Sequence, residues 1–255
     1  MLEDGPDGDG VTGLFEDRTM SFAQFAFSGE ITVKVFKKYG GKAPRVQISP
    51  KAYGINPSYF DGDTVVFKLT HDQKGPAYIS VNFEIPENQD GQSNGHIAVK
   101  NGFMLFADKP EVLLPDTTQS GYVKYGSEVT ASQVQNADLL YFPPGEHRLK
   151  EKFDMGVIRL TKNNQEIYIA GGAYVHGAIH GEGRDNIKIY GRGMFTGREF
   201  VFHEIRDENG KKDAFMNFMG SSGCHFEGFI VENPTHHTIP SSNNTYHKNF
   251  KIIGW

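Results

Sequence analysis

Cysteine is nearly absent: Cys224 stands alone in 255 residues, so no intrachain disulfide can form. It occupies an apolar slot of a repeat described below, where a small buried residue fits better than a reactive thiol. Long hydrophobic runs are missing as well. No stretch of about 18 apolar residues exists, so nothing reads as a membrane-spanning helix. Positive charge is not in excess, and the net charge of −5 offers no basic surface for nucleic acid. Met1 to Gly10 is acidic and Gly-rich, unlike the basic and then apolar start of a signal peptide. No Gly-x-Ser-x-Gly elbow or phosphate-binding loop is present. Gly191-Arg192-Gly193 lacks the further glycine and the helix of a dinucleotide site and reads as a bend between strands. Asp4, Asp7 and Asp9 do not have the spacing of an EF-hand loop. No Cys/His spacing resembles a zinc site, and His236 and His237, being adjacent, would point to opposite faces of a strand. The expectation is therefore no metal and no cofactor.

Glycine and aromatics, in contrast, are plentiful: 30 Gly, 20 Phe and 11 Tyr favour an all-β chain with many turns. One pattern recurs four times in the C-terminal half. It runs apolar-x-apolar-x-Gly, at Ile167–Gly171, Ile187–Gly191, Cys224–Gly228 and Phe250–Gly254. Alternation with period two marks a strand with one face buried, and the closing glycine permits a sharp bend. Such a unit cannot bury its apolar face alone, whereas stacked coils of a parallel β-helix cover one another. The spacing predicts two inward columns: Ile167, Ile187, Cys224 and Phe250, and beside it Ile169, Ile189, Phe226 and Ile252. The widest interval holds the charged stretch Glu204 to Asp213. It exceeds a short solenoid coil of about 20–25 residues and predicts an excursion loop of the kind that walls a cleft.

Upstream the rhythm differs. Short alternating runs (Ile31/Val33/Val35, Val46/Ile48, Val65/Phe67/Leu69, Ile79/Val81/Phe83, Ile97/Val99, Phe103/Leu105) are separated by turn signals such as Asp61-Gly62-Asp63 and Asn101-Gly102. The fold expected is thus all-β: an N-terminal β-sandwich followed by a truncated right-handed parallel β-helix. Its divisions are an extended or disordered terminus (1–18), the sandwich (19–109), a linker (110–137) with a turn or two of helix between Glu128 and Asp138, and the first coils of the β-helix (138–255). Asn243-Asn244-Thr245 is a glycosylation sequon. The run Glu232-Asn233-Pro234-Thr235-His236-His237-Thr238-Ile239 places a turn after a strand and predicts a new strand from His237 to Ile239. Its polar and imidazole groups either line a groove or sit on a solvated turn.

The segments Leu140-Tyr141-Phe142-Pro143-Pro144-Gly145, Ile169-Ala170-Gly171-Gly172-Ala173-Tyr174-Val175-His176-Gly177-Ala178-Ile179 and Asn186 to Gly197 resemble the start of the catalytic β-helix in glycoside hydrolase families 49 and 28, the dextranase and polygalacturonase clan. A sandwich before the helix and the Gly-Ala-Tyr-Val-x-Gly-Ala segment favour family 49. The resemblance implies an inverting O-glycosyl hydrolase acting on a polysaccharide, an α-glucan such as dextran first, secreted or periplasmic. It implies catalytic aspartates downstream of the strand around Lys248 to Trp255, so the catalytic residues are expected beyond Trp255, the chain reads as an inactive N-terminal fragment, and no Asp-Asp or Asn-Thr-Asp motif occurs in it. It also places His237 and Thr238 at the substrate groove, with Asn233 shaping the turn into it and Tyr174 and His176 two coils earlier. For Tyr174 and His176 the plainer reading is that they cover the core. A noncatalytic carbohydrate-binding or structural β-helix module and a polysaccharide lyase are the alternatives.

Overall fold

The computed structural model describes residues 21–38, 41–71, 77–84, 102–201, 203–207, 209–241 and 243–254. The terminus before them, the run at Ile97 and Val99, and Asn101 of the expected turn lie outside the described residues. The chain divides into two compact units, Leu14–Val112 and a second one built on Leu113–Trp255.

The first unit is a sandwich of two small sheets. Strands β1 (Ser21–Ala26), β7 (Gly102–Asp108), β6 (Ala77–Phe83) and β3 (Val46–Ser49) form one sheet in that order, with β1 and β7 parallel and the other neighbours antiparallel. The other sheet is antiparallel and runs β2 (Glu30–Phe36), β5 (Thr64–Thr70), β4 (Tyr59–Phe60). The inward residues of the alternating runs, among them Val35, Ile48, Val65, Phe67, Leu69, Ile79 and Val81, make one apolar cluster. The turn before β5 forms because Asp61 Oδ1 accepts the main-chain N–H groups of Asp63 and Thr64, an Asx turn that substitutes a side chain for a backbone acceptor.

The second unit is a parallel β-helix. Its first sheet stacks β8 (Tyr122–Lys124), β9 (Leu139–Phe142), β12 (Glu166–Ile169), β15 (Lys188–Gly191), β17 (His225–Glu227) and β19 (Tyr246–Lys248), all parallel. The second sheet stacks β10 (Gly145–Arg148), β13 (Ala173–His176), β16 (Met194–Thr196), β18 (Ile230–Glu232) and β20 (Lys251–Ile253). A third begins with β11 (Val157–Arg159) and β14 (Ala178–His180) and continues through single parallel bridges, His180 to Asn217 and Phe218 to Ser241. The core runs down the axis as columns: Val123, Leu140, Ile167, Ile189, Phe226 and His247 in the first sheet, and His147, Val175, Phe195, Val231 and Ile252 in the second. Each fully buried Ile, Leu or Phe in them contributes about 1.5–3 kcal/mol.

These columns differ from the expected ones. Ile167 pairs with Ile189, not Ile187, because the corner after β12 is two residues longer than the corner after β15. Gly172, with φ of 85°, turns the first of these corners and Gly191, with φ of 126°, the second, so aligning coils on the glycine closing the pattern shifts the register by two. The fourth copy, Phe250–Gly254, lies in the second sheet, where Ile252 is beside Val231. Its place in the first sheet belongs to Tyr246-His247-Lys248, and Asn249, with φ of 54°, takes the corner otherwise held by glycine. Ile252 faces inward but is 52% exposed. Cys224 is buried and free.

The segment read as a linker is part of the solenoid from Tyr122 on. Its strand β8 extends the first sheet, and the short helix α1 (Ala131–Gln135) puts Val134 into the core. A capping box starts that helix: Thr130 Oγ1 accepts from the Gln133 N–H while Gln133 Oε1 accepts from the Thr130 N–H. The widest interval does leave the coil. Between β16 and Asn217 the chain makes an excursion closed by the Arg206–Lys212 bridge, with Asp207 Oδ1 accepting from the Asn209 and Lys211 N–H groups at its tip.

Candidate functional site

Because side chains alternate along a strand, every second residue of each sheet points out of the helix. On the second sheet the outer rows are Glu146, Tyr174, Met194, Ile230, Lys251 and Arg148, His176, Thr196, Glu232, Ile253. Stacking at strand spacing brings these polar groups together. The Tyr174 hydroxyl donates to Glu232 Oε2 at 2.7 Å, and Thr196 Oγ1 donates to the same oxygen at 2.8 Å. Arg148 holds Glu146 at 2.5 Å and also pairs with Glu199, which the excursion brings over the sheet. His176 lies between them, with Nε2 2.9 Å from Glu146 and Nδ1 3.3 Å from Glu199, although neither approach has the direction of a hydrogen bond. The ring is only 5% exposed. Burial first, and then the Arg148 charge, holds its pKa below the ordinary histidine value, against the opposing pull of Glu146. The cluster sets Arg148 against Glu146 and Glu199, while Glu232 is held by two hydroxyls.

The third sheet presents a different face. Arg159 and His180 are neighbours on β11 and β14, and Asn217 follows on the next coil. Asp213, the last residue of the excursion stretch, reaches the same spot. His180 Nε2 lies 3.1 Å from the Ala214 carbonyl, and its Nδ1 faces Arg159 Nη1 at 3.0 Å and Asp213 Oδ2 at 3.4 Å. Asn217 Nδ2 donates to both Glu182 Oε1 and Asp213 Oδ1, each at 2.7 Å. Burial dominates the His180 environment and pushes its pKa down, with Asp213 pulling the other way.

Next to it lies the histidine run. The His236 ring sits 4.5 Å from the His203 ring, which the excursion supplies, and 4.2 Å from the His237 ring. Burial and then the His237, His203 and Lys212 charges lower the His236 pKa. The Thr235 hydroxyl and His236 Nδ1 are buried without a hydrogen-bond partner.

Of the residues singled out from sequence, Tyr174 and His176 come together with each other and Glu232, on the second sheet. They are not farther along the groove of His237 and Thr238. Those two lie on the third-sheet side, where their carbonyls accept from Phe215 and Met216 at 2.8 and 2.9 Å. No strand forms over 237–239. Pro234 and Pro240 bracket the segment and offer no N–H, so it runs as a bend tied to the neighbouring coil. The His237 side chain is exposed and that of Thr238 half-buried. Asn233 turns the chain out of β18 with φ of 46°, and its N–H donates to the Ile253 carbonyl at 2.7 Å. The cluster of His180, Glu182 and Asp213 was not foreseen. Its members are spread from position 180 to 213, and only the excursion brings them together.

Residues 7–112 match the family model for the glycosyl hydrolase family 49 N-terminal Ig-like domain. The chain is 26% identical over 217 residues to a dextranase from Talaromyces minioluteus, a match covering 74% of this chain and 35% of that protein. In structure it resembles Dex49A from Penicillium minioluteum, with a TM-score of 0.74 and 19% sequence identity, over 98% of this chain and 52% of that one. The chain thus shares its fold, a β-sandwich followed by a parallel β-helix, with that structure. The chain spans about a third of the length of the curated relative it matches.

Proposed function

We propose that this chain belongs to a secreted, dextranase-like polysaccharide hydrolase, and that its third-sheet face is part of the surface contacting the glycan. The observation that carries this reading is an open, imidazole- and hydroxyl-bearing face, His237 and Thr238 with His236 and His203 behind them, walled by the excursion on a fold shared with a dextranase. Imidazoles and hydroxyls hydrogen-bond sugar hydroxyls in both directions, which suits an uncharged α-glucan. Asn233 acts through the backbone, turning the chain into this face. Tyr174, bonded to Glu232, and His176, buried between Glu146 and Glu199, act as a support beneath the excursion.

Hydrolysis with inversion needs one carboxylic acid to protonate the leaving oxygen and one carboxylate to activate water, about 6.5–9.5 Å apart. Parallel coils stacked about 4.8 Å apart can place carboxyls at such separations. In this reading the pair comes from the part of the relatives that this chain does not span. The test is His237→Ala in the complete protein. A fall in kcat/KM on dextran with an unchanged melting temperature is expected. Unchanged kinetics would remove His237 from the glycan contact, and a lowered melting temperature would make it structural.

A further inference from the structure

We propose that His180, Asp213 and Glu182 form a binding site for a divalent transition-metal ion of the zinc type, contrary to the absence of metal expected from the sequence. One ligand atom from each of the three lies within 4.8 Å of the others. The His180–Asp213 pair carries the argument. With Nε2–H donating to the Ala214 carbonyl, Nδ1 bears the lone pair. It faces Asp213 Oδ2 at 3.4 Å, and that oxygen is buried without a hydrogen-bond partner. Two acceptors thus confront each other in a place from which water is excluded. Two ligands about 2.1 Å from a tetrahedral zinc ion are separated by about 3.4 Å, so the pair already stands at the edge length of such a site.

The surroundings are those that orient metal ligands. A ligating histidine commonly donates its other N–H to a backbone carbonyl, as His180 does to Ala214. Asn217 Nδ2 and the Ala214 N–H both hold Asp213 Oδ1 at 2.7 Å, which turns Oδ2 toward His180. The same Asn217 amide grips Glu182, an exposed residue able to close on an ion. One imidazole and two carboxylates suit zinc or its first-row neighbours better than calcium or magnesium. Arg159 is the competitor. Its Nη1 contacts His180 Nδ1 and its Nη2 the Arg206 carbonyl, yet no ion pair joins it to either carboxylate among the described residues. The outer-face cluster of Glu146, His176 and Glu199 differs on this point, because Arg148 already pairs with both glutamates.

The experiment is titration of the EDTA-stripped chain with Co²⁺, followed by its visible d–d absorption, and then displacement by Zn²⁺. Saturable binding of a single equivalent is expected. Asp213→Asn and Glu182→Gln should weaken it, and Asn217→Ala should weaken it by about 10–100-fold, the range for residues that orient ligands. Arg159→Gln should tighten it, because a positive charge leaves the site and Nδ1 is freed. His236→Gln should leave it unchanged. Should Asp213→Asn fail to fold, the two exposed positions, Glu182 and Arg159, decide the matter. The proposal is overturned if the stripped chain shows no saturable binding, if His236→Gln abolishes it, or if Arg159→Gln leaves the affinity equal or lower.

Discussion

Gly191 turns the corner between the first and second sheets at φ of 126°, a conformation open almost only to glycine. A methyl group there would overlap the carbonyl oxygen of Ile169 on the preceding coil. That oxygen is also the acceptor for two N–H groups, from Arg192 at 2.9 Å and Gly193 at 3.0 Å. Gly191→Ala therefore adds backbone strain of about 1–3 kcal/mol and disturbs two hydrogen bonds worth about 0.5–1.5 kcal/mol each, a total of about 2–6 kcal/mol. Gly145 supplies the control. It holds φ of 127° in the first coil, but a Cβ on it meets nothing within 4 Å, so Gly145→Ala carries the strain alone, about 1–3 kcal/mol. Urea unfolding of the three proteins followed by circular dichroism separates the two contributions through the shift in midpoint at constant slope. If Gly145→Ala costs as much as Gly191→Ala, the coils do not approach each other at this corner as described.

Thr196 is fully buried, donates to Glu232 and accepts the Arg198 N–H at 3.1 Å. Thr196→Val leaves the Arg198 N–H without its acceptor and takes one of two donors from Glu232, and should lower stability by about 1–3 kcal/mol in the same urea assay; a variant as stable as the parent would show that the outer-face network contributes nothing. The lowered pKa of His176 means that the unfolded chain binds a proton there more readily than the folded one. Its contribution is thus fully present above about pH 6.5 and is lost as pH falls below that value. Stability measured between about pH 7 and 5 should fall with pH, and less steeply in His176→Gln. A flat profile, or equal slopes in the two proteins, would contradict the burial of that ring.

The sequence made faces legible and left register hidden. Alternation identified Ile167, Ile169, Ile189 and Phe226 as inward residues of a stacked-sheet protein, and a shift of two residues leaves the inward face unchanged because the side-chain period is two. The same periodicity could not say that Ile167 meets Ile189, since that depends on corner lengths. The strand Tyr246-His247-Lys248 has no aliphatic residue and an asparagine at its corner, so it carried no signal at all. Among site residues, His237 and Thr238 stood out through a local run of polar groups after a turn. Tyr174 and His176 stood out only through the family resemblance, and the sheet they lie on is set by coil geometry. Asp213 lies 31 positions beyond Glu182 (213 − 182), and an excursion loop brings it to His180 and Glu182, which no periodicity encodes.

The most direct measurement is reducing-end release from dextran, set beside pullulan and polygalacturonate, by the 255-residue chain and by the full-length natural protein. The reading proposed above predicts turnover of dextran by the full-length natural protein, preferred over the other two polymers, and none by the chain alone, because that reading puts the general acid and base in the part of the relatives that the chain does not span. Hydrolysis by the chain itself that survives controls for contaminating enzyme, or a complete protein that cleaves polygalacturonate and not dextran, would contradict the account.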